Sequence, residues 1–234
     1  MKISIIIPTY NEAENITELI TYLQKINGAE QTEIIVSDGG STDDTLLLSE
    51  KAGAIALSSP KKGRAGQMNY GVSQANGDVY YFVHADTKPC GSAIQEIEKA
   101  IKQGHDCGSF RTKFDSQSTM LKINAWFTRF NYLFFRGGDQ SIFVSKDLFN
   151  EVNCFDEQFY IMEDYDFLEK IWARGKFKLI PKSTLVSARK YNENSWLSVQ
   201  LANLKVVKMF RKGASQEDML ATYKQMLKYR KNAF

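Results

Sequence analysis

A chain of 234 residues with 43% hydrophobic side chains, 24% charged side chains and only 4 prolines cannot be a disordered tail, a collagen-like repeat or a low-complexity polymer. A chain of this length buries roughly 70% of its unfolded surface, so it folds as one large domain without staples. The net charge of +3 conceals an asymmetry, because residues 199–234 hold 8 Lys and Arg against 2 Asp and Glu, leaving 22 basic and 25 acidic groups in the rest.

An acidic body suits metal and hydroxyl chemistry, and a basic tail suits an anionic surface. No apolar run approaches the ~20 residues of a membrane span, and no leader precedes Ile3. The expectation is therefore a cytoplasmic protein without signal peptide or transmembrane anchor. Cys90, Cys107 and Cys154 are odd in number and form no Cys-x-x-Cys pair. Reduced thiols are expected, rather than a zinc site or a redox motif.

In chain order, Ile3–Ile7 is a β-branched run stopped by Pro8, as a buried parallel strand should be. Asn11 is placed to cap a helix that carries Ile16, Leu19, Ile20 and Leu23 on one face as far as Gly28. A second strand, Glu33–Ser37, ends at Asp38-Gly39-Gly40, and Ser41 is expected to cap the next helix with Asp43 and Asp44 in its first turn. A weaker strand at Ala54–Leu57, a loop with Lys61, Lys62, Gly63 and Arg64, a helix through Tyr70 and Ala75, and a strand at Asp78–Val83 follow. Strands alternating with helices predict an α/β fold with a doubly wound, mostly parallel sheet and helices on both faces. Beyond residue 90 the pattern loosens. The sequence there predicts an aromatic helix over Met120–Phe134, a strand at Ser141–Val144, and helices at Lys146–Val152 and Glu163–Arg174. It then predicts a strand at Phe177–Ile180 and terminal helices over Trp196–Phe210 and Glu217–Tyr229. No Pro-, Gly- or Ser-rich linker interrupts the chain. Residues 1–190 thus read as the main domain, with 191–234 as a helical extension packed on it.

In open parallel sheets ligands gather at the carboxyl ends of the strands, and three strand ends here carry polar or acidic groups. At the first, Pro8 and Thr9 lead to Tyr10, a flat face for a base, and to Glu12 at a helix start with free N–H groups. At the second, Asp38 can accept bonds from a base or ribose, while Asp43 and Asp44 read as dipole-favoured helix-start acids. At the third, His84-Ala85-Asp86 sets an imidazole and a carboxylate two residues apart, which in an extended segment share a face. Such a pair would hold Mg²⁺ or Mn²⁺ against a diphosphate, the imidazole favouring Mn²⁺. Arg64 and Gln67, at the start of a helix, suit the same diphosphate, whereas Lys61 and Lys62 read as solvated loop. Glu163 and Asp164 bring carboxylates to another helix start, where one can serve as general base. Gly138, Asp139 and Gln140 form a loop that could shape an acceptor pocket.

At these residues the chain resembles a family 2 glycosyltransferase with the GT-A fold. The likeness runs through Ile3–Glu12, Glu33–Asp43, Gly66–Gly71, Gly77-Asp78, Gly138-Asp139-Gln140 and Met162-Glu163-Asp164, covering about residues 1–190. More narrowly it is similar to a bacterial subgroup named for association with radical-SAM/selenodomain proteins, which shares Gly-Arg-x-x-Gln-Met-Asn and His-Ala-Asp-Thr. The resemblance implies an inverting transfer from a UDP- or GDP-sugar to a hydroxyl, the base and sugar left open. Pro8, Thr9, Tyr10, Glu12, Asp38, Arg64, Gln67 and Ala85 would line the nucleotide pocket, and Asp86 with His84 would hold the metal. Asp164, with Glu163, would carry the base, and Gly138, Asp139 and Gln140 would face the acceptor. His84 departs from the family's usual first acid, and no histidine follows His105 to complete a metal site. Arg189-Lys190-Tyr191 is instead available to the diphosphate. The Gln-x-x-Arg-Trp motif of processive synthases is absent from the sequence, favouring a single transfer.

Two other functions compete. A sugar-1-phosphate nucleotidyltransferase would carry a Gly-rich loop and Arg after the first strand, where Pro8–Glu12 stands instead. A non-catalytic nucleotide-sugar sensor would tolerate loss of Asp164, which is present. Nucleic-acid binding is not expected, because the basic residues cluster only in the tail. Trp196, Leu197, Leu201, Leu204, Val207 and Phe210, flanked by Lys205, Lys208, Arg211 and Lys212, make a basic amphipathic helix. It packs on the domain or lies on the inner face of a membrane beside a lipid-linked acceptor. The aromatic helix serves as core or as a homodimer face.

Overall fold

The computed structural model describes residues 1–136 and 140–228. Its N-terminal half runs β1 (Ile3–Thr9), α1 (Ala13–Leu23), β2 (Thr32–Asp38), α2 (Thr45–Lys51), β3 (Ile55–Ser58), α3 (Arg64–Ser73) and β4 (Val79–Phe82). Next come β5 (Thr87–Lys88), α4 (Ala93–Lys102), β6 (Cys107–Phe114), α5 (Thr119–Phe127), β7 (Ile142–Ser145) and α6 (Lys146–Glu151). The chain continues through α7 (Glu163–Arg174), β8 (Phe177–Val186), α8 (Lys190–Glu193), α9 (Trp196–Arg211) and α10 (Gln216–Met226).

All eight strands join one sheet in the order β3-β2-β1-β4-β7-β6-β8-β5. The N-terminal pairings β1–β2, β2–β3 and β1–β4 are parallel, as is β6–β8, while β7 and β5 pair antiparallel to their neighbours. The expected mostly parallel α/β sheet is therefore present, with an antiparallel insertion in its second half. Successive side chains of β1 point to opposite faces. Ile3, Ile5 and Ile7 join a core with Ile16, Leu19, Ile20, Ile94 and Ile97 from α1 and α4. Ile6 joins a second core with Met68, Phe149, Phe167 and Leu168 from α3, α6 and α7. A strand buried on both faces needs a continuous apolar run, and that is why this stretch was readable.

The C-terminal helices form a satellite cluster in which Val199, Ala202, Val206, Met219 and Tyr223 pack with Ile161, Met162 and Tyr191. The extension thus rests against the entry to α7.

Several local readings change. Asn11 does not cap α1; it adopts φ 53°, and its Oδ1 accepts the Thr42 N–H at 2.8 Å, tying the exit of β1 to that of β2. Ser41 does not cap α2, which begins four residues later; its hydroxyl donates to Asp38 at 2.5 Å and accepts the Asn11 N–H. Asp43 accepts N–H groups at the starts of both helices, from Thr45 at 3.0 Å and Ala13 at 3.2 Å. Burial would raise its pKa, but the Thr45 hydroxyl together with these N–H bonds outweighs burial and holds it below the usual carboxylate range.

The aromatic helix stops at Phe127 and resumes only as a 3-10 turn over Leu133–Phe135. The Arg136 guanidinium takes the carbonyls of Thr128 at 2.5 Å and Phe130 at 2.6 Å, which a longer helix would need for itself. Elements α4, β5, β6 and α8 were not anticipated. β6 reads Cys-Gly-Ser-Phe-Arg-Thr-Lys-Phe, a strand without a β-branched run.

Candidate active site

The turns leaving β1, β2 and β4 at their carboxyl ends open onto a cavity of about 890 Å³, closed on the far side by the start of α7 and by the segment after β8. Pro8, Thr9, Tyr10, Glu12, Arg64, Gln67, His84, Ala85, Asp86, Gln140, Glu163 and Asp164 all border it. The fold thus brings together residues drawn from five separate places in the sequence. Asp38 does not border the cavity, although its neighbour Gly39 does. Gly138 and Asp139 lie outside the described residues. A second depression of about 700 Å³, at the amino ends of β2 and β3 around Gln24 and Gly28, gathers none of these groups.

Asp38 is 3% exposed and already saturated. Its Oδ1 accepts from the Thr9 hydroxyl at 3.1 Å and the Ser41 hydroxyl at 2.5 Å, and its Oδ2 accepts from the N–H groups of Gly40 at 3.0 Å and Ser41 at 2.8 Å. The carboxylate therefore shapes the turn that Gly40, at φ 91°, completes. Gln67 is likewise buried and committed. Its amide Nε2 donates to the carbonyls of Thr9 at 2.6 Å and Ser37 at 2.9 Å, pinning the ends of β1 and β2 together. The sequence places Gln67 near a diphosphate; the structure makes it a strut under the floor of the site.

Glu12 and Asp86 share one cation. Arg189 donates Nη1 and Nη2 to the two Glu12 oxygens at 2.9 and 2.6 Å, and its Nε lies 3.0 Å from Asp86 Oδ2. Burial would lower the guanidinium pKa, but the two carboxylates outweigh burial and raise it above the ordinary value. Glu12, expected to line the nucleotide pocket, borders the cavity with its carboxylate on Arg189. His84 and Asp86 lie in a turn, closed by the Thr87 N–H on the His84 carbonyl at 3.0 Å, rather than in an extended segment. Both still border the cavity.

Across the cavity, Met162 adopts φ 69°, a left-handed conformation that is costly for a methionine, and the next residue opens α7. Glu163 and Asp164 are 4% and 6% exposed, and Arg64, first residue of α3, approaches them at 3.3 and 3.9 Å. Arg64 thus addresses the expected base pair. Asp166 turns away to Lys170 at 2.6 Å and is only 18% exposed, less open than the surface acid expected there. Burial raises the Tyr165 phenol pKa, and its hydroxyl donates to the Phe134 carbonyl at 3.2 Å.

The cavity wall around Gln140 hangs on Arg136, a residue the sequence reading passed over. It is fully buried, and besides the two carbonyls it bonds Gln140 Oε1 at 3.0 Å and Ser109 Oγ at 3.3 Å. Burial, with help from Arg111, pulls its pKa down to about 10. Gln140, proposed for the acceptor, spends its amide on Arg136 and on the Phe135 carbonyl at 2.9 Å.

Among the described residues there is no group of three or more His, Cys, Asp or Glu placed to hold a metal ion. Asp86 and His84 supply one hard oxygen donor and one imidazole at the cavity wall. That set fits a divalent cation whose remaining ligands arrive on a diphosphate.

An open α/β sheet with paired acids at its carboxyl edge defines a ligand-binding enzyme class rather than a structural module. The family model of Glycosyl transferase family 2 matches residues 4–152, and the chain belongs to that family. A dolichol-phosphate mannosyltransferase of Pyrococcus furiosus is 35% identical over 114 residues, covering 45% of this chain and 32% of that one. The chain therefore matches about a third of that relative's length. The structure of S. aureus TarS in complex with UDP-GlcNAc superposes with TM-score 0.66 at 20% identity, over 97% of this chain and 71% of the other. A mannosyltransferase of Pyrobaculum calidifontis with GDP-Man and Mn²⁺ gives 0.69 at 15% identity, over 96% and 69%. At these identities the two structures establish the fold, a GT-A glycosyltransferase architecture.

Proposed function

We propose that the protein transfers a sugar from a nucleotide-diphosphate donor to a hydroxyl acceptor with inversion at the anomeric carbon. The observation that carries this reading is the single cavity joining the strand-end turns of β1 and β4 to the Glu163–Asp164 pair. In this reading Pro8, Thr9 and Tyr10 receive the nucleoside, with Tyr10 presenting its ring to the base. Asp38 and Gln67 hold the floor beneath them. Asp164 accepts the acceptor's hydroxyl proton as that oxygen attacks, and Arg64 with Glu163 keeps the carboxylate oriented. When bound, a divalent cation at Asp86 and His84 would neutralise the departing diphosphate. Attack from the face opposite the leaving group gives inversion. Residues 1–190 would act as the transferase domain and 191–234 as its extension. The shared Gly-Arg-x-x-Gln-Met-Asn and His-Ala-Asp-Thr stretches support the narrower radical-SAM/selenodomain-associated subgroup.

The test is calorimetric titration of UDP and GDP, each with and without Mn²⁺, against the protein and Asp86→Ala. Metal-dependent binding lost in Asp86→Ala is the expected result, and it also identifies the base. Absence of binding for both nucleotides under every condition would overturn the reading and favour a scaffold.

We further propose that the protein works at an anionic membrane surface. No described helix is long and apolar enough to cross a bilayer. Residues 116–136 and 196–212 contain none of the chain's 27 Asp and Glu, yet carry Lys122, Arg129, Lys205, Lys208, Arg211 and Lys212. The same segments expose Trp126, Phe127, Tyr132 and Phe134 on one side, and Leu197, Leu201 and Leu204 on the other. Phe127, Phe134 and Leu204 border the cavity, so a lipid-linked acceptor in the bilayer would enter directly. Co-flotation with vesicles containing phosphatidylglycerol, lost in Trp126→Ser/Leu201→Ser, is expected. A concentration-dependent dimer that ignores vesicles would assign this face to a second copy instead.

A further inference from the structure

Arg189 and Glu12 stand 177 residues apart in sequence and meet across the mouth of the donor site. Their contact is not symmetrical with the contact to Asp86. Glu12 grips the guanidinium end-on through both terminal nitrogens, and its side chain is 11% exposed. Asp86 meets the guanidinium at Nε, and its side chain is 25% exposed. A bidentate, buried carboxylate holds a guanidinium more firmly than a single, wetter contact. The backbone around Arg189 is fixed as well. The Ser187 N–H donates to the Asp86 carbonyl at 3.1 Å, and the Ala188 N–H donates to Asp115 at 2.5 Å. Of the two contacts on Arg189, the Nε–Asp86 one is therefore the more open to solvent.

Charge points the same way. A cation arriving at Asp86 meets Arg189 already on the oxygen it needs, and like charges at that distance exclude each other. A diphosphate arriving with that cation offers the displaced Nε edge a new anionic partner. Arg suits this exchange, because its fork can keep one carboxylate while the adjacent edge changes partner.

We propose that Arg189 is a built-in cation of the donor site. Held by Glu12, it pairs with Asp86 in the free protein and with the donor's diphosphate in the complex, so that Arg189 and a divalent cation compete for Asp86. Glu12 is then a positioning residue that acts through Arg189, not a ligand of the nucleotide. The inference rests on the diphosphate reading of the site and assigns the order in which its charges change partners.

The test measures Mn²⁺ binding without nucleotide, by loss of the free-ion electron paramagnetic resonance signal, for the protein, Arg189→Gln and Arg189→Lys. Arg189→Gln is expected to bind Mn²⁺ about tenfold more tightly or better, equivalent to about 1.4 kcal/mol. Arg189→Lys, which keeps the charge but not the fork, shifts less in the same direction. With saturating Mn²⁺, calorimetry then compares UDP and GDP with UMP and GMP. Arg189→Gln loses about tenfold in diphosphate affinity and leaves the monophosphates within about twofold. Glu12→Gln weakens the diphosphates in the natural background and adds nothing in Arg189→Gln. Unchanged Mn²⁺ affinity in Arg189→Gln, or an equal loss for mono- and diphosphates, overturns the proposal while the nucleotide reading stands. Absence of all nucleotide binding overturns that reading instead, and the Mn²⁺ comparison still decides whether Arg189 guards Asp86. Should Arg189→Gln not fold, as judged by circular dichroism, Arg189→Lys must still weaken diphosphates more than monophosphates, or the proposal falls.

Discussion

Gly39 and Gln67 are predicted to be one energetic unit. A Cβ at position 39 would lie 2.9 Å from both Cδ and Nε2 of Gln67. Gly39 does not have a positive φ, so alanine strains no backbone dihedral there, and the whole penalty falls on Gln67. Moved aside, Gln67 gives up its bonds to Thr9 O at 2.6 Å and Ser37 O at 2.9 Å. Two buried bonds at about 1 kcal/mol each, with a partial desolvation penalty on the carbonyls, put the cost of Gly39→Ala at about 2–3 kcal/mol. Thr9 O keeps the Gly39 N–H at 2.9 Å, so the penalty stays at the low end. In a chain of this size that is a fall in Tm of about 4–12 °C. Gln67→Ala should cost a similar amount, because it removes the same bonds. The double variant Gly39→Ala/Gln67→Ala should cost no more than Gln67→Ala alone, since the new methyl group then enters vacated space. The coupling in a urea-denaturation cycle is therefore about 2 kcal/mol. Costs that add to within about 0.5 kcal/mol would refute the strut.

Asp164→Asn should lower kcat by about 10²- to 10⁴-fold while nucleotide affinity stays within a few-fold, checked by donor turnover and calorimetry. Unchanged turnover would remove Asp164 from the base role. Burial, reinforced by Asp106, raises the Cys107 thiol to about 12. Because the folded value lies above the unfolded one, the unfolded chain loses its proton first, and stability falls as pH climbs above about 9, by up to about 1.4 kcal/mol per pH unit. Melting between pH 8 and 11 should show this slope, and Cys107→Ala should flatten it. Arg136→Met should cost about 3–5 kcal/mol, because it strips a charged donor from four acceptors. Limited proteolysis should then cut faster between residues 128 and 136, whereas cleavage at the natural rate would refute Arg136 as the anchor of that wall.

The first half of the fold was legible because parallel strands buried on both faces must be continuous apolar runs, and Pro8, Asp38-Gly39-Gly40 and His84-Ala85-Asp86 mark where they stop. The helix boundary at Glu163–Arg174 was equally plain, with acids at its start and Arg174 at its end. The second half was not legible. β6 alternates Arg111 and Lys113 with the buried Phe110 and Thr112 only in its second half, and its Cys-Gly-Ser start carries no strand signal until β8 is known to pair with it. The aromatic stretch carried a helical pattern as far as Phe134. What cut it short was the side chain of Arg136, competing for backbone carbonyls that carry no sequence signature.

Most of the candidate residues border one cavity, but their protein partners were not legible in the sequence. Asp38, Glu12, Asp86, Glu163 and Asp164 were each read as groups awaiting a ligand. In the fold each is met by protein donors or cations. Thr9, Gly40 and Ser41 hold Asp38, Arg189 joins Glu12 to Asp86, and Arg64 faces Glu163 and Asp164. A carboxylate cannot stay buried uncompensated, so a site this acidic must carry its own counter-charges before any donor arrives. Binding then becomes an exchange of partners, and exposure decides which carboxylate lets go. Asp38, at 3% with four donors, is fixed; Asp86, at 25% against the Nε edge of Arg189, is where exchange begins.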